Sequence, residues 1–311
     1  MNNIMFMGTP EISAICLDRL IKDGHGICAV ISREDKPRGR GNVMTPTPTK
    51  SLAIENNIPV YTPKTLKDEE FMSILEKHNP EIIVVVAYGK ILPKAVLDYP
   101  RLGCVNLHVS LLPKYRGAAP MQRAIMNGEK ETGVTVMYME EGLDTGDIIE
   151  VSKFDILPDD DFEAIHDRSA EVGGKLLSET IEKINNGTAT RTKQDDSLAT
   201  YAAKVEKEDC KVDFTKSAKE LDFIIRGVTP IPGAFAYHNG KMLKINKATP
   251  INKKGKPGEV IELSDKGDGY IVIACGEGAL QVSRLIPEGK GKMSAGDFVR
   301  GRKIALGDIL E

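Results

Sequence analysis

The sequence predicts an α/β chain in two parts: a Rossmann-like, mostly parallel sheet with helices on both faces, then a small OB-like β-barrel. Three observations carry this. The chain opens as strand, helix, strand, with apolar runs Ile4–Met7 and His25–Ser32 flanking the amphipathic stretch Glu11–Ile21. Glu81–Ala87, EIIVVVA, is an unbroken β-branched run of the kind that suits a strand buried on both faces. After Gly227 the pattern changes to short strands separated by Gly, Pro and Asn turns, as in a small closed barrel.

Taken in order, Gly8–Thr9–Pro10 closes the first strand. A single glycine in that turn leaves no GxGxxG fingerprint, which argues against a dinucleotide enzyme. Residues 33–50 form a long polar loop with five basic and two acidic residues, either a solvated charged loop or a phosphate-contacting arm that orders on binding. Short and longer helices are expected at Ser51–Asn56 and Leu66–Lys77. Strands follow at Cys104–Leu107 and Val134–Met137, with a helix at Ala119–Met126 between them. Glu140–Gly146 is a turn, Ile148–Phe154 is extended and Phe162–Ile184 is a long amphipathic helix. Beyond it, Lys211–Arg226 holds one helix. Barrel strands are expected at Ala234–Tyr237, Lys241–Ala248, Gly258–Leu263, Gly269–Ala274 and Ala279–Ile286.

The length of 311 residues fits two domains. Composition places them at 1–188 and 206–311, with the polar stretch 189–205 as a linker. Residues 1–203 carry 23 Lys and Arg against 30 Asp and Glu, and residues 204–311 carry 19 against 15. A basic second part suits a polyanionic partner. Six lysines fall between Lys241 and Lys256 with few aromatics, which favours backbone contact over base stacking. The first residues lack the pattern of a signal peptide, and no uncharged apolar run reaches membrane-spanning length. Five scattered cysteines without a CxxC pair point to a reducing cytoplasm and against a zinc ribbon. The histidines outside the central motif are too dispersed for a metal site.

The chemistry gathers in residues 104–120, CVNLHVSLLPKYRGAAP. Asn106 and His108 stand two apart on an extended segment, so they share one face. An amide can donate to an oxyanion developing on a carbonyl, and an imidazole can take a proton from an attacking amine, directly or through water. A carboxylate is needed to hold the imidazole, and Asp144 in its glycine-flanked turn is the best supplier. Residues Tyr88 to Pro93 follow the strongest strand and form a pocket candidate at the carboxyl edge of the sheet. Cys104 reads as a core thiol. Lys114 and Arg116 either hold the loop or face substrate.

The motif NLHVSLLPKYRGAAP, with Gly8–Thr9–Pro10, Tyr88–Gly89 and Gly142-Leu143-Asp144-Thr145-Gly146 in the same order, resembles the folate-dependent formyltransferases. The resemblance runs through the second domain, as in the branch acting on aminoacylated initiator tRNA. It implies 10-formyltetrahydrofolate as donor, the α-amino group of methionyl initiator tRNA as acceptor, and a role in translation initiation. A cytoplasmic monomer that uses no metal and no membrane is expected. Asn106, His108 and Asp144 become the catalytic set: the first two stabilise the tetrahedral oxyanion, and Asp144 orients His108 and a water. Folate contacts fall to Tyr88, Gly89, Ile91 and Leu92, to Ser110, Leu111, Leu112 and Pro113, and to Gly142 and Leu143. Contacts to tRNA fall to Arg38 and Arg40 of the basic stretch and to Lys241, Lys244, Lys247, Lys253 and Lys254 of the barrel. Two departures stand out. Asn42 and Val43 replace the lysines that often follow Gly-Arg-Gly, and Ile231 replaces a tryptophan before Pro232-Gly233. One competing reading is a formyltransferase for a nucleotide-sugar or other small amine. Another is a non-catalytic RNA-binding protein.

Overall fold

The computed structural model describes residues 3–38 and 43–311. The chain divides into two compact units, neither of them one continuous stretch. The first holds residues up to Gly117, Thr132–Phe154 and His166–Ala202, and the second holds Ala118–Glu131, Asp155–Ile165 and Ala203–Glu311.

In the first unit, described strands form a seven-stranded sheet. Its order is Ile148–Asp155, Glu131–Tyr138, Cys104–His108, Ile82–Val86, Ile4–Gly8, Ile27–Ile31 and Val60–Tyr61. The run from Val60–Tyr61 to Cys104–His108 is parallel throughout. Alternation along the strands feeds two cores. Ile4, Phe6, Ile82, Val84, Val105 and Leu107 pack with Leu17, Leu20, Leu177 and Ile181 on one face. Met5, Met7, Ile83, Val85 and Cys104 pack with Phe71, Leu75 and Val96 on the other. A sheet covered on both faces needs strands apolar in both parities, which is what IMFMG and IIVVV supply. The chain leaves the central strand Ile4–Gly8 for one neighbour and later returns on its other side. This creates a crevice at the carboxyl ends of Ile4–Gly8 and Ile82–Val86, where Thr9 Oγ1 donates to the Tyr88 carbonyl at 3.1 Å.

Two stretches differ from their sequence reading. The polar run 33–50 is not bare loop: Lys36–Arg38 and Val43–Thr45 pair antiparallel, Arg38 opposite Val43. A helix already begins at Pro48, because proline suits the first helical position and Thr47 caps it through Lys50 N. Arg40 lies outside the described residues. Nor is 189–205 a bare linker. Thr192 and Ile148 exchange two backbone hydrogen bonds of 2.8 Å, Gln194 is buried, and Tyr201–Ala202 pairs in parallel with Arg116–Gly117. Two of its polar side chains, Gln194 and Thr200, engage backbone groups of the first unit, which hydropathy alone does not reveal.

In the second unit, helix Ala218–Val228 starts at a reciprocal Ser217–Glu220 capping box. It buries Leu221, Ile225 and Val228 with the inward residues of an antiparallel sheet. The sheet runs Ala234–His238, Lys241–Ile251, Ala279–Pro287, Tyr270–Ala274 and Val260–Ser264. Residues 308–311 join its two outer strands. Asp308 and Leu310 bond to Val260 and Gly258 at 2.8 and 2.9 Å, while Glu311 exchanges bonds of 2.7 and 2.9 Å with Tyr237. That last segment closes the sheet into the expected barrel.

Candidate active site

Asn106 and His108 continue the face on which Cys104 is core, at the carboxyl end of their strand. Cys104 itself is inert packing: burial pushes its thiol up to about 12. His108 is 6% exposed, and its Nε2 lies 2.9 Å from the Tyr115 carbonyl oxygen. A carbonyl only accepts, so Nε2 carries hydrogen and the tautomer is set. Nδ1 is the ring atom left for chemistry. It faces Asp144 Oδ2 at 3.7 Å, an electrostatic contact longer than a hydrogen bond.

Asp144 reaches that point by an indirect path. Strand Glu131–Tyr138 is antiparallel to Cys104–His108, pairing Val105 with Tyr138 and His108 with Thr135. The chain therefore leaves the sheet level with Cys104, whose carbonyl accepts from Met139 N at 2.8 Å, and it rejoins where Tyr138 N donates to Asp147 O. The turn between must fold back along the sheet to bring Asp144 to His108. It does so with Asp144 at φ +53, left-handed for a residue with a Cβ. Gly117 N donates to its Oδ2 at 2.8 Å. Gln194 Nε2 donates to the Asp144 and Gly146 carbonyls at 2.9 and 2.8 Å.

The segment after His108 is tied down by its own polar groups. Ser110, fully buried, donates to the Lys114 carbonyl at 2.7 Å, and Thr135 Oγ1 donates to Ser110 O and accepts from Leu112 N. The Ser110 hydroxyl is thus committed to the loop. Leu112 is buried and Leu111 and Pro113 partly exposed. Lys114 is exposed, whereas Arg116 is 2% exposed and directed inward, so the loop-holding alternative is the one Arg116 takes. Tyr88 and Leu92 are buried, and burial pushes the Tyr88 phenol up to about 12. Among the described residues the Tyr88 hydroxyl finds no hydrogen-bond partner. Gly89 accepts from Arg33 Nη1 at 2.8 Å. Ile91 and Leu143 are exposed apolar side chains.

Gly117 sits at φ +118, and a Cβ there would lie 2.9 Å from the Ala202 carbonyl oxygen. Gly117→Ala is expected to strain the backbone by about 1–3 kcal/mol and to shift the amide that holds Asp144. Both a lower melting temperature and a lower kcat are the expected results. Wild-type values for both in a thermal melt and steady-state kinetics would remove Gly117 as an anchor.

Of the basic residues assigned to the second unit, Lys241, Lys244 and Lys247 share one strand and Lys253 and Lys254 follow it. Lys244 Nζ donates to the Pro232 carbonyl at 2.8 Å and Lys253 pairs with Glu262, while Lys241, Lys247 and Lys254 are exposed. For Arg38 the described feature is its backbone pairing. Among the described residues no cluster of His, Cys, Asp or Glu is suited to a metal, and no helix is long and apolar enough to cross a membrane.

The family model "Formyl transferase" matches residues 1–181, and "Formyl transferase, C-terminal domain" matches residues 204–303. A methionyl-tRNA formyltransferase of Geobacter metallireducens is 42% identical over 98% of this chain and 97% of its own length. One of Geotalea uraniireducens is 44% identical over 99% and 97%. Among solved structures, an N-formyltransferase from Helicobacter canadensis, in complex with folinic acid and dTDP-3-aminofucose, matches with TM-score 0.66 at 21% identity. That match covers 91% of this chain and 99% of the other, a likeness of fold. The two-part fold and these matches define a formyltransferase, an enzyme of one-carbon transfer. Within that class, the chain belongs to the methionyl-tRNA formyltransferases.

Proposed function

We propose that Asn106, His108 and Asp144 transfer the formyl group of 10-formyltetrahydrofolate to the α-amino group of methionyl initiator tRNA. The observation that supports this most is the juxtaposition at the strand's carboxyl end: a donor amide, an imidazole with Nε2 occupied, and a carboxylate facing Nδ1. The amine attacks the formyl carbon, and the carbonyl π pair moves onto oxygen. Asn106 donates to that oxyanion. With Nε2 committed to Tyr115, His108 acts through Nδ1, steadied by the Asp144 charge. The C–N bond to the folate then breaks as the oxyanion collapses, and the proton lost by the amine passes to the departing folate nitrogen. Two exposed apolar side chains, Ile91 and Leu143, suit a flat heteroaromatic donor, with buried Tyr88 in the loop after the strongest strand. Gly89, Leu92, Leu111, Leu112, Pro113 and Gly142 complete that side of the site.

The barrel, through exposed Lys241, Lys247 and Lys254, and the basic stretch, through Arg38 and Arg40, contact the tRNA backbone. The catalytic domain centres on residues 1–188 and the tRNA-binding one on 206–311, with Ala118–Glu131 and Asp155–Ile165 grouped with the latter and 189–202 with the former. All five cysteines are free thiols, which suits a cytoplasmic enzyme, here acting as a monomer. Formylation of Met-tRNA assayed beside small amines tests the acceptor. Turnover of a small amine without turnover of Met-tRNA would sink it. Arg40→Ala is expected to raise KM for Met-tRNA several-fold and to reduce the slope of log affinity against log salt by about 1. An unchanged rate at subsaturating tRNA would count against Arg40.

A further inference from the structure

We propose that Arg116 and Gln194 are positioning residues that set the His108–Asp144 geometry, a reading that rests on the assignment of those two residues above. The chain of contacts is continuous. The Arg116 guanidinium donates from Nε and Nη2 to Gln194 Oε1 at 3.1 and 2.9 Å, and from Nη2 to Asp196 at 2.7 Å. Gln194 passes its amide on to the Asp144 and Gly146 carbonyls. The orientation of this amide follows from chemistry: a guanidinium only donates and a carbonyl only accepts, so Oε1 must face Arg116 and Nε2 must face the turn. Arg116 and Gln194 are 2% and 6% exposed, so water is a poor substitute for either partner.

What they hold is the one part of the site that its own strand does not place. Asp144 comes back along the sheet in a left-handed conformation, and Gln194 grips the carbonyls on both sides of Thr145. Three consecutive residues then control both members of the pair. The Tyr115 carbonyl holds His108, Gly117 N holds the Asp144 carboxylate, and Arg116 between them holds the Asp144 backbone through Gln194. A displacement of Asp144 by an ångström changes the field at His108 Nδ1; it also carries Leu143 of the same turn, and leaves the tRNA-facing lysines in place.

The test is a double-mutant cycle in the full chain with Gln194→Leu, Asp144→Asn and the two combined. Gln194→Leu is expected to lower kcat about 10- to 100-fold with KM for Met-tRNA held within about twofold. Combined with Asp144→Asn it costs nothing further beyond about twofold, because the group it positions is already lost. Arg116→Lys keeps the charge but loses the two-nitrogen grip on Gln194, and it is expected to behave in the same way. It also carries the test if Gln194→Leu does not fold, as judged by melting. Independent, multiplicative losses in the double variant overturn the proposal, and so does a rise in KM for Met-tRNA at constant kcat. If Met-tRNA proves not to be the acceptor, the same cycle is run with the amine that is turned over, so the two readings fail separately.

Discussion

Replacing His108 by alanine is expected to lower kcat for formyl transfer by about 10²- to 10⁴-fold while binding of Met-tRNA changes little. The imidazole offers one reactive atom, Nδ1, because Nε2 is spent on Tyr115 O. Without it, proton movement between amine and folate falls to Asp144 and water, and the developing oxyanion keeps Asn106 alone. Structure responds less than chemistry. The Tyr115 carbonyl loses its partner, at about 1–3 kcal/mol for a buried polar group left unsatisfied, which a thermal melt registers as a modest shift. Single-turnover formylation measured beside equilibrium tRNA binding separates the outcomes. Full activity in the variant would leave a non-catalytic RNA-binding protein as the better reading.

Much of this was open to the sequence. Period-two alternation and β-branched runs mark the central strands because parallel strands buried on both faces admit little else, and the Asn106–His108 spacing follows from the pleat. The third member proposed for the site was legible as a residue and not as a path. Asp144 stands in a turn after a strand that proves antiparallel, so chain order alone would carry it away from His108. What brings it back is Gln194, in a stretch whose polarity reads as a linker. A polar side chain engaged with buried carbonyls looks, by composition, like one facing water, and no local pattern distinguishes them. Arg116 had the opposite problem: its place in the motif drew attention, but whether a cation points at substrate or into the fold is decided by long-range partners. In the barrel, strand positions were readable from turns, whereas closure was not. Residues 308–311 are too short to carry a strand pattern and gain meaning only from the two edges they meet.

Deleting residues 308–311 is expected to open the barrel and abolish tRNA binding while folate still binds the first unit. The segment supplies four backbone hydrogen bonds to the outer strands, each contributing about 0.5–1.5 kcal/mol net. It also supplies Leu310, 2% exposed within the barrel core, where truncation of a buried leucine costs about 2–5 kcal/mol. Together these rival the whole stability of a small domain, about 5–15 kcal/mol. The opened sheet would also present two bare edges to other chains. Acid weakens the same seam. The Asp308 carboxyl is held below its ordinary value first by the Ala305 N–H and also by His238, which lies 2.9 Å away. Its contribution is present above the usual carboxylate range and is lost as pH falls through the lowered value. Calorimetry of the truncated chain, paired with separate folate and tRNA binding measurements, provides the check, and Leu310→Ala gives a graded version. An unchanged melt with intact tRNA binding would show that the five strands hold their curvature without the closing segment. A joint loss of folate and tRNA binding would show that the first unit does not survive without a folded second one.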